Sequence, residues 1–167
     1  MKKIATFFLL SFLFGSLIAQ NGSSLLPFSG KIFTESKKDN KVTVKLYDGN
    51  KLVSSYETKA NGKFIMDLER NKKYTVEFSQ TAYVTKRISI DTKVNPKEVE
   101  LLKEFKFDVD LIKEEEGINY SNLDFPIALI EFEKHSGQFD YNKAYTENML
   151  KEQERILGSD YKIAMLD

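Results

Sequence analysis

Apolar and polar side chains alternate along most of this chain between residues 28 and 112. In "KVTVKLY", Val42, Val44 and Leu46 share one face, with Lys41, Thr43, Lys45 and Tyr47 on the other. That period of two is what a half-buried strand requires. "KFIMDL" repeats it with Phe64, Met66 and Leu68, and "KYTVEFS" sets Tyr74, Val76 and Phe78 inward against Thr75, Glu77 and Ser79. "EFKFDVDLI" aligns Phe105, Phe107, Val109 and Leu111, while "FSGKIFTE", "KLVSSYET" and "AYVTKRISI" read as further strands. Between them lie "SKKDN", "DGN", Asn61-Gly62 and "RNKK". The asparagines and glycines tolerate the positive φ of tight turns. Strands at spacings of about 10 residues predict a mainly β chain folded as an antiparallel β-sandwich.

The pattern changes after residue 112. "DFPIALIEF" is apolar almost without interruption, as in a strand covered on both faces. "EKHSGQ" is a turn, and "FDY" is placed to pair back. From about Asn142 the period becomes helical, with Tyr145, Met149, Gln153 and Ile156 on a stripe that Leu150 and Leu157 widen. Asp140 is the expected N-cap and Gly158 the expected stop.

The beginning of the chain reads differently again. "MKKIATFFLLSFLFGSLIAQ" has two lysines, an apolar run and a small residue at Ala19. This is the form of a secretory signal peptide, and a run of about 15 apolar residues is short for a membrane anchor. The expected organisation is a signal peptide over 1–19, a linker over 20–27, a sandwich over 28–112 and a strand–helix extension over 113–167. Without Lys2 and Lys3 the mature chain carries 23 basic and 25 acidic residues, too balanced for a nucleic-acid partner. It contains no cysteine, so its core relies on apolar packing, to which its Phe and Tyr side chains contribute.

Residues 29–91 resemble the carboxypeptidase regulatory-like domain, a transthyretin-like β-sandwich. The motifs that carry the resemblance are "SGKIF", "VTVKLYDG", "TKANGKFIMDL" and "KKYTVEFSQTAYVTKRISI". Gly30 stands where the family opens its first strand, Gly62 and Phe64 match its glycine turn and inward phenylalanine, and Tyr74 its strand-initiating tyrosine. Where the family places a glycine–tyrosine pair, this chain has Ala82-Tyr83. The C-terminal stretch "FDYNKAYT" resembles an extension of envelope proteins in bacteria with two membranes. These likenesses imply a sandwich used as an accessory module. They bring no catalytic residues.

Candidate chemistry is sparse. His135 and Ser136 are neighbours in a polar turn, an arrangement that seldom lets a base face its nucleophile. A single histidine is too few for a zinc hydrolase, so no metal or cofactor is expected. Asp108 and Asp110 share a strand face ahead of Lys113–Glu116 and are the candidates for a weak cation site, although a strand does not wrap an ion. Tyr47, Tyr56 and Tyr83 are candidates for a sugar-stacking platform, and Tyr145, Met149 and Ile156 for the docking face of the helix. The resulting expectation is a non-enzymatic binding or scaffolding protein of the periplasm, outer membrane or extracellular space. Its partner would be another envelope protein, met through a strand edge or the C-terminal segment. A carbohydrate-binding module is the alternative, and an uncharacterised hydrolase, which lacks a histidine–carboxylate constellation here, is the third reading.

Overall fold

The structure is a computed structural model that describes residues 25–35 and 41–157. The expected signal peptide, the "SKKDN" loop and the helix stop at Gly158 lie outside those residues. Two sheets face each other across one core. The smaller is built on β1 (Leu26–Phe33), flanked by β4 (Lys63–Leu68) on one side and by the short β7 (Phe105–Lys106) and β8 (Val109–Asp110) on the other. The larger runs in the order β10-β9-β6-β5-β2-β3. Its strands are β2 (Thr43–Asp48), β3 (Lys51–Glu57), β5 (Lys73–Ser79), β6 (Lys86–Asp91), β9 (Pro126–Glu133) and β10 (Gln138–Tyr141). A single helix, α1 (Lys143–Leu157), closes the described chain. The mainly β sandwich with a C-terminal strand and helix is the expected class.

Alternation produced the core as read. Phe64, Met66, Leu68, Tyr74, Val76, Phe78, Phe107, Val109 and Leu111 are all buried. Phe64 is 2% exposed, with its ring 5.2 Å from that of Phe78 and 5.1 Å from that of Phe107. Two glycines make this closeness possible. A Cβ on Gly30 would lie 1.6 Å from the Phe107 carbonyl oxygen, and one on Gly62 would lie 2.3 Å from that of Ile32. Gly62 also sits at φ +70°, which favours a residue without Cβ.

Pairing is antiparallel between β1 and β4, β2 and β3, β2 and β5, β5 and β6, and β9 and β10, whereas β1 runs parallel to β7 and β8, and β6 runs parallel to β9. "EFKFDVDLI" is therefore two short pairings along β1, and "AYVTKRISI" becomes strand only from Lys86. Residues 126–141 extend the larger sheet instead of forming a layer of their own. Ala128, Ile130 and Phe139 join the same core, with Phe139 5.2 Å from the Phe28 ring. The other face of β9 lies under α1, so this strand is covered on both sides, as its composition predicts.

Two helix readings are corrected. The N-cap is Asn142, not Asp140: the Asn142 Oδ1 accepts from the Tyr145 N–H at 2.9 Å, and its Nδ2 donates to Glu131 at 2.8 Å. The centre of the buried stripe is Thr146, Leu150, Gln153 and Leu157, with Tyr145, Met149 and Ile156 half-buried beside it. The helix is turned by about one position because its lower end settles on Val84, Ile112 and Leu123.

Candidate binding surface

Side chains that alternate away from the core line the outer face of the larger sheet. Register places Lys45 of β2 opposite Glu77 of β5, and Glu77 opposite Arg87 of β6. Glu77 accepts from the Lys45 Nζ at 3.1 Å through one oxygen, and from the Arg87 Nε and Nη2 at 3.0 and 2.8 Å through the other. The remaining Arg87 nitrogen, Nη1, bonds Asp124, just ahead of β9. Burial alone would raise the Glu77 carboxyl, but the bonds from Lys45 and Arg87 outweigh it and hold the group below its ordinary range. The same contact with Glu77 raises the Lys45 amine.

This ladder lies under a polar trough. One cleft of about 410 Å³ reaches from Tyr47 and Thr75 to Arg87 and Asp124. A second of about 290 Å³ continues from Arg87 and Asp124 toward Tyr120 and Ser121.

The edge of the same sheet is open. In β3 six of seven residues are exposed, Leu52 and Val53 by 49% and 52%. The register skips from Leu46↔Ser54 to Tyr47↔Leu52, so Val53 is a bulge residue. Thr58 N–H donates to the Val42 carbonyl at 2.9 Å. Counting back along the antiparallel ladder, Tyr56 and Ser54 bond to β2, while Ser55 and Glu57 turn their backbone groups away from it.

At the sandwich end, Lys86 points inward and is only 5% exposed. Burial pushes its amine down to about 8, against a smaller upward pull from Asp110.

The sugar platform read from the sequence does not assemble. Tyr83 is buried, Tyr56 is half-buried with its hydroxyl donating to the Ile65 carbonyl at 3.1 Å, and only Tyr47 lies on the outer face. His135 and Ser136 are exposed, and their backbone N–H groups both donate to the Glu133 carboxylate, at 3.0 and 2.6 Å. Asp108 accepts from the Lys31 N–H at 2.8 Å, and Asp110 is exposed on β8. Among the described residues, no three His, Asp or Glu side chains converge where a metal would bind. No helix among them is long and apolar enough to cross a membrane.

Sequence reading missed the Lys45–Glu77–Arg87–Asp124 ladder. Lys45 and Glu77 were legible as outward, but alternation along one strand says nothing about its neighbour. Lys86 shares the inward phase of Ile88 and Ile90, a signal passed over because a lysine in a strand reads as solvent-facing.

No protein-family model and no curated protein matches the chain. Among solved structures it is similar to catechol 1,2-dioxygenase from Acinetobacter sp. ADP1, with 14% identity and a TM-score of 0.42 over 65% of this chain and 59% of that one. It is similar to S.CueP, with 15% identity and a TM-score of 0.37 over 55% and 64%. It is also similar to a type II cohesin–X-dockerin complex from Acetivibrio cellulolyticus, with 15% identity and a TM-score of 0.37 over 53% and 58%. This chain thus spans 58–64% of the length of those chains. Likenesses this faint carry no argument about function, and the sandwich rests on the strand pairing described above.

Proposed function

We propose that this chain is an exported, non-enzymatic binding module of the bacterial periplasm or outer envelope, and that it holds a protein partner by strand addition at β3. The observation that carries the reading is the open edge: Ser55 and Glu57 turn backbone donors and acceptors away from the sheet, beside exposed Leu52 and Val53. Such an edge is a template for an incoming strand, with main-chain bonds supplying affinity. The bulge at Val53 and the charge of Lys51 guard one half of it against indiscriminate pairing, leaving residues 54–57 as the usable stretch.

Three features support the rest of the reading. The lysine-led apolar run before Gln20 favours export. Ala82 supports kinship with the carboxypeptidase regulatory-like sandwich, because it adopts φ +65° at the position where that family carries glycine. His135 and Ser136 serve their own turn, which favours a non-enzymatic role.

The test is capture from an envelope fraction with the mature chain as bait, comparing wild type with Ser55→Pro and Val53→Lys. Proline at position 55 removes an outward donor that β2 does not use. Both variants are expected to fold and to lose the captured partner. Folded variants that capture it as well as wild type would refute the edge as the contact.

A further inference from the structure

We infer that the trough on the outer face of the larger sheet binds a neutral oligosaccharide, seated between Tyr47 and Tyr120 across Arg87 and Asp124. This is a second site, independent of the β3 edge. The two clefts, of about 410 and about 290 Å³, adjoin at Arg87 and Asp124, which line both.

Charge selects the ligand. Of the lining charges, Arg87 pairs with both Glu77 and Asp124, Lys45 completes the neutralisation of Glu77 from beyond the lining, and Glu114 stands at the far rim. A nearly neutral floor exerts little pull on an ion, yet it offers carboxylate acceptors beside cationic donors and the Thr75 hydroxyl. Sugar hydroxyls each donate and accept, so this mixture suits them. The polar groups are also fixed in advance. Glu77 is buried and engages both cations, and Arg87 is held through Nε, Nη1 and Nη2, so little side-chain freedom is lost when a ligand arrives. A tyrosine lines each end of the trough, and an aromatic face suits the C–H face of a pyranose.

A peptide fits less well. The floor is a sheet face whose backbone groups are used between strands, so an extended chain would find only side chains there, whereas the β3 edge offers it a ladder.

The test uses the mature chain with cellotriose, maltotriose and triacetylchitotriose as neutral probes, and trilysine and trigalacturonate as charged ones. Titration is followed by amide chemical shifts and calorimetry. At least one neutral trisaccharide is expected to bind with a dissociation constant of about 0.1–1 mM, in keeping with an open, mostly polar site. Its shifts should centre on Tyr47, Thr75, Arg87 and Asp124. Tyr47→Ala and Asp124→Ala should each weaken binding about tenfold or more with the fold intact, and Tyr47→Phe should retain most of it. The inference is overturned if no neutral trisaccharide binds at about 10 mM. It is equally overturned if a charged probe binds more tightly than every neutral one, or if Tyr47→Ala leaves binding unchanged.

Discussion

Replacing Lys86 with methionine should make the protein more stable, and by an amount that depends on pH. Lys86 is 5% exposed, and its amine falls from 10.5 to about 8, chiefly through burial. The unfolded chain therefore binds this proton more tightly than the folded one. Below about pH 8 the amine is charged in both states, and the folded state bears the full penalty. Between about 8 and 10.5 the unfolded state holds more protons, so wild-type stability rises with pH, and above that window the penalty is gone. A fall from 10.5 to about 8 corresponds to about 3 kcal/mol. Methionine keeps the unbranched stem and removes the charge, and the fall already includes the opposing pull of Asp110, so the expected gain at pH 7 is about 2–3 kcal/mol. Urea denaturation of both proteins from pH 6 to pH 10 gives the difference directly, with other titrating groups cancelling between the two curves. The gain should shrink steadily above pH 8. A Lys86→Met protein that is less stable than wild type, or whose advantage is the same at every pH, would refute the burial of the charged amine.

Further outcomes follow from the core and the ladder. Ala82→Gly should stabilise the fold by about 0.5–1 kcal/mol, because φ +65° strains alanine more than the added backbone freedom costs glycine. A loss of stability in thermal unfolding would place Ala82 outside that conformation. Phe64→Ala should cost about 3–5 kcal/mol in chemical denaturation, and a loss under about 1 kcal/mol would mean that its ring is not between the sheets. Glu77→Gln should cost about 1–3 kcal/mol at pH 7. The wild-type carboxyl is held low in the folded state, so its contribution is present above the ordinary carboxylate range and lost as pH falls below it. Equal stability of Glu77→Gln and wild type at pH 7 would show that the ladder does not hold Glu77 charged.

The faces of the strands were legible in the sequence, and the partners of those faces were not. Phe64, Met66 and Leu68 announce an inward row because a period of two has one simple meaning in a sandwich. The same period cannot say that β6 takes β9 as a parallel neighbour, since β7 and β8, which pair in the other sheet, lie between them in the chain. The outer-face ladder was lost for the same reason, as it exists only once three strands are in register. On the helix, the spacing drew a stripe of Tyr145, Met149, Gln153 and Ile156 widened by Leu150 and Leu157, and it passed over Thr146 because a threonine does not read as apolar. The structure keeps Leu150, Gln153 and Leu157, adds Thr146 and moves Tyr145, Met149 and Ile156 to the flank, because the sheet strand and the Val84–Leu123 cluster cover that face. The Ala82 position shows the converse case, where an alanine takes φ +65° without any glycine to announce it in the sequence.

The central claim is that β3 is the docking edge, and amide hydrogen exchange on the mature chain, free and bound to its captured envelope partner, tests it most directly. In the free chain the Ser55 and Glu57 amides, turned away from β2, should exchange much faster than those of Tyr56 and Ser54. In the complex, Ser55 and Glu57 should become protected while α1 stays unchanged. Protection that appears on α1 or elsewhere, with Ser55 and Glu57 still exchanging as in the free chain, would contradict strand addition at β3.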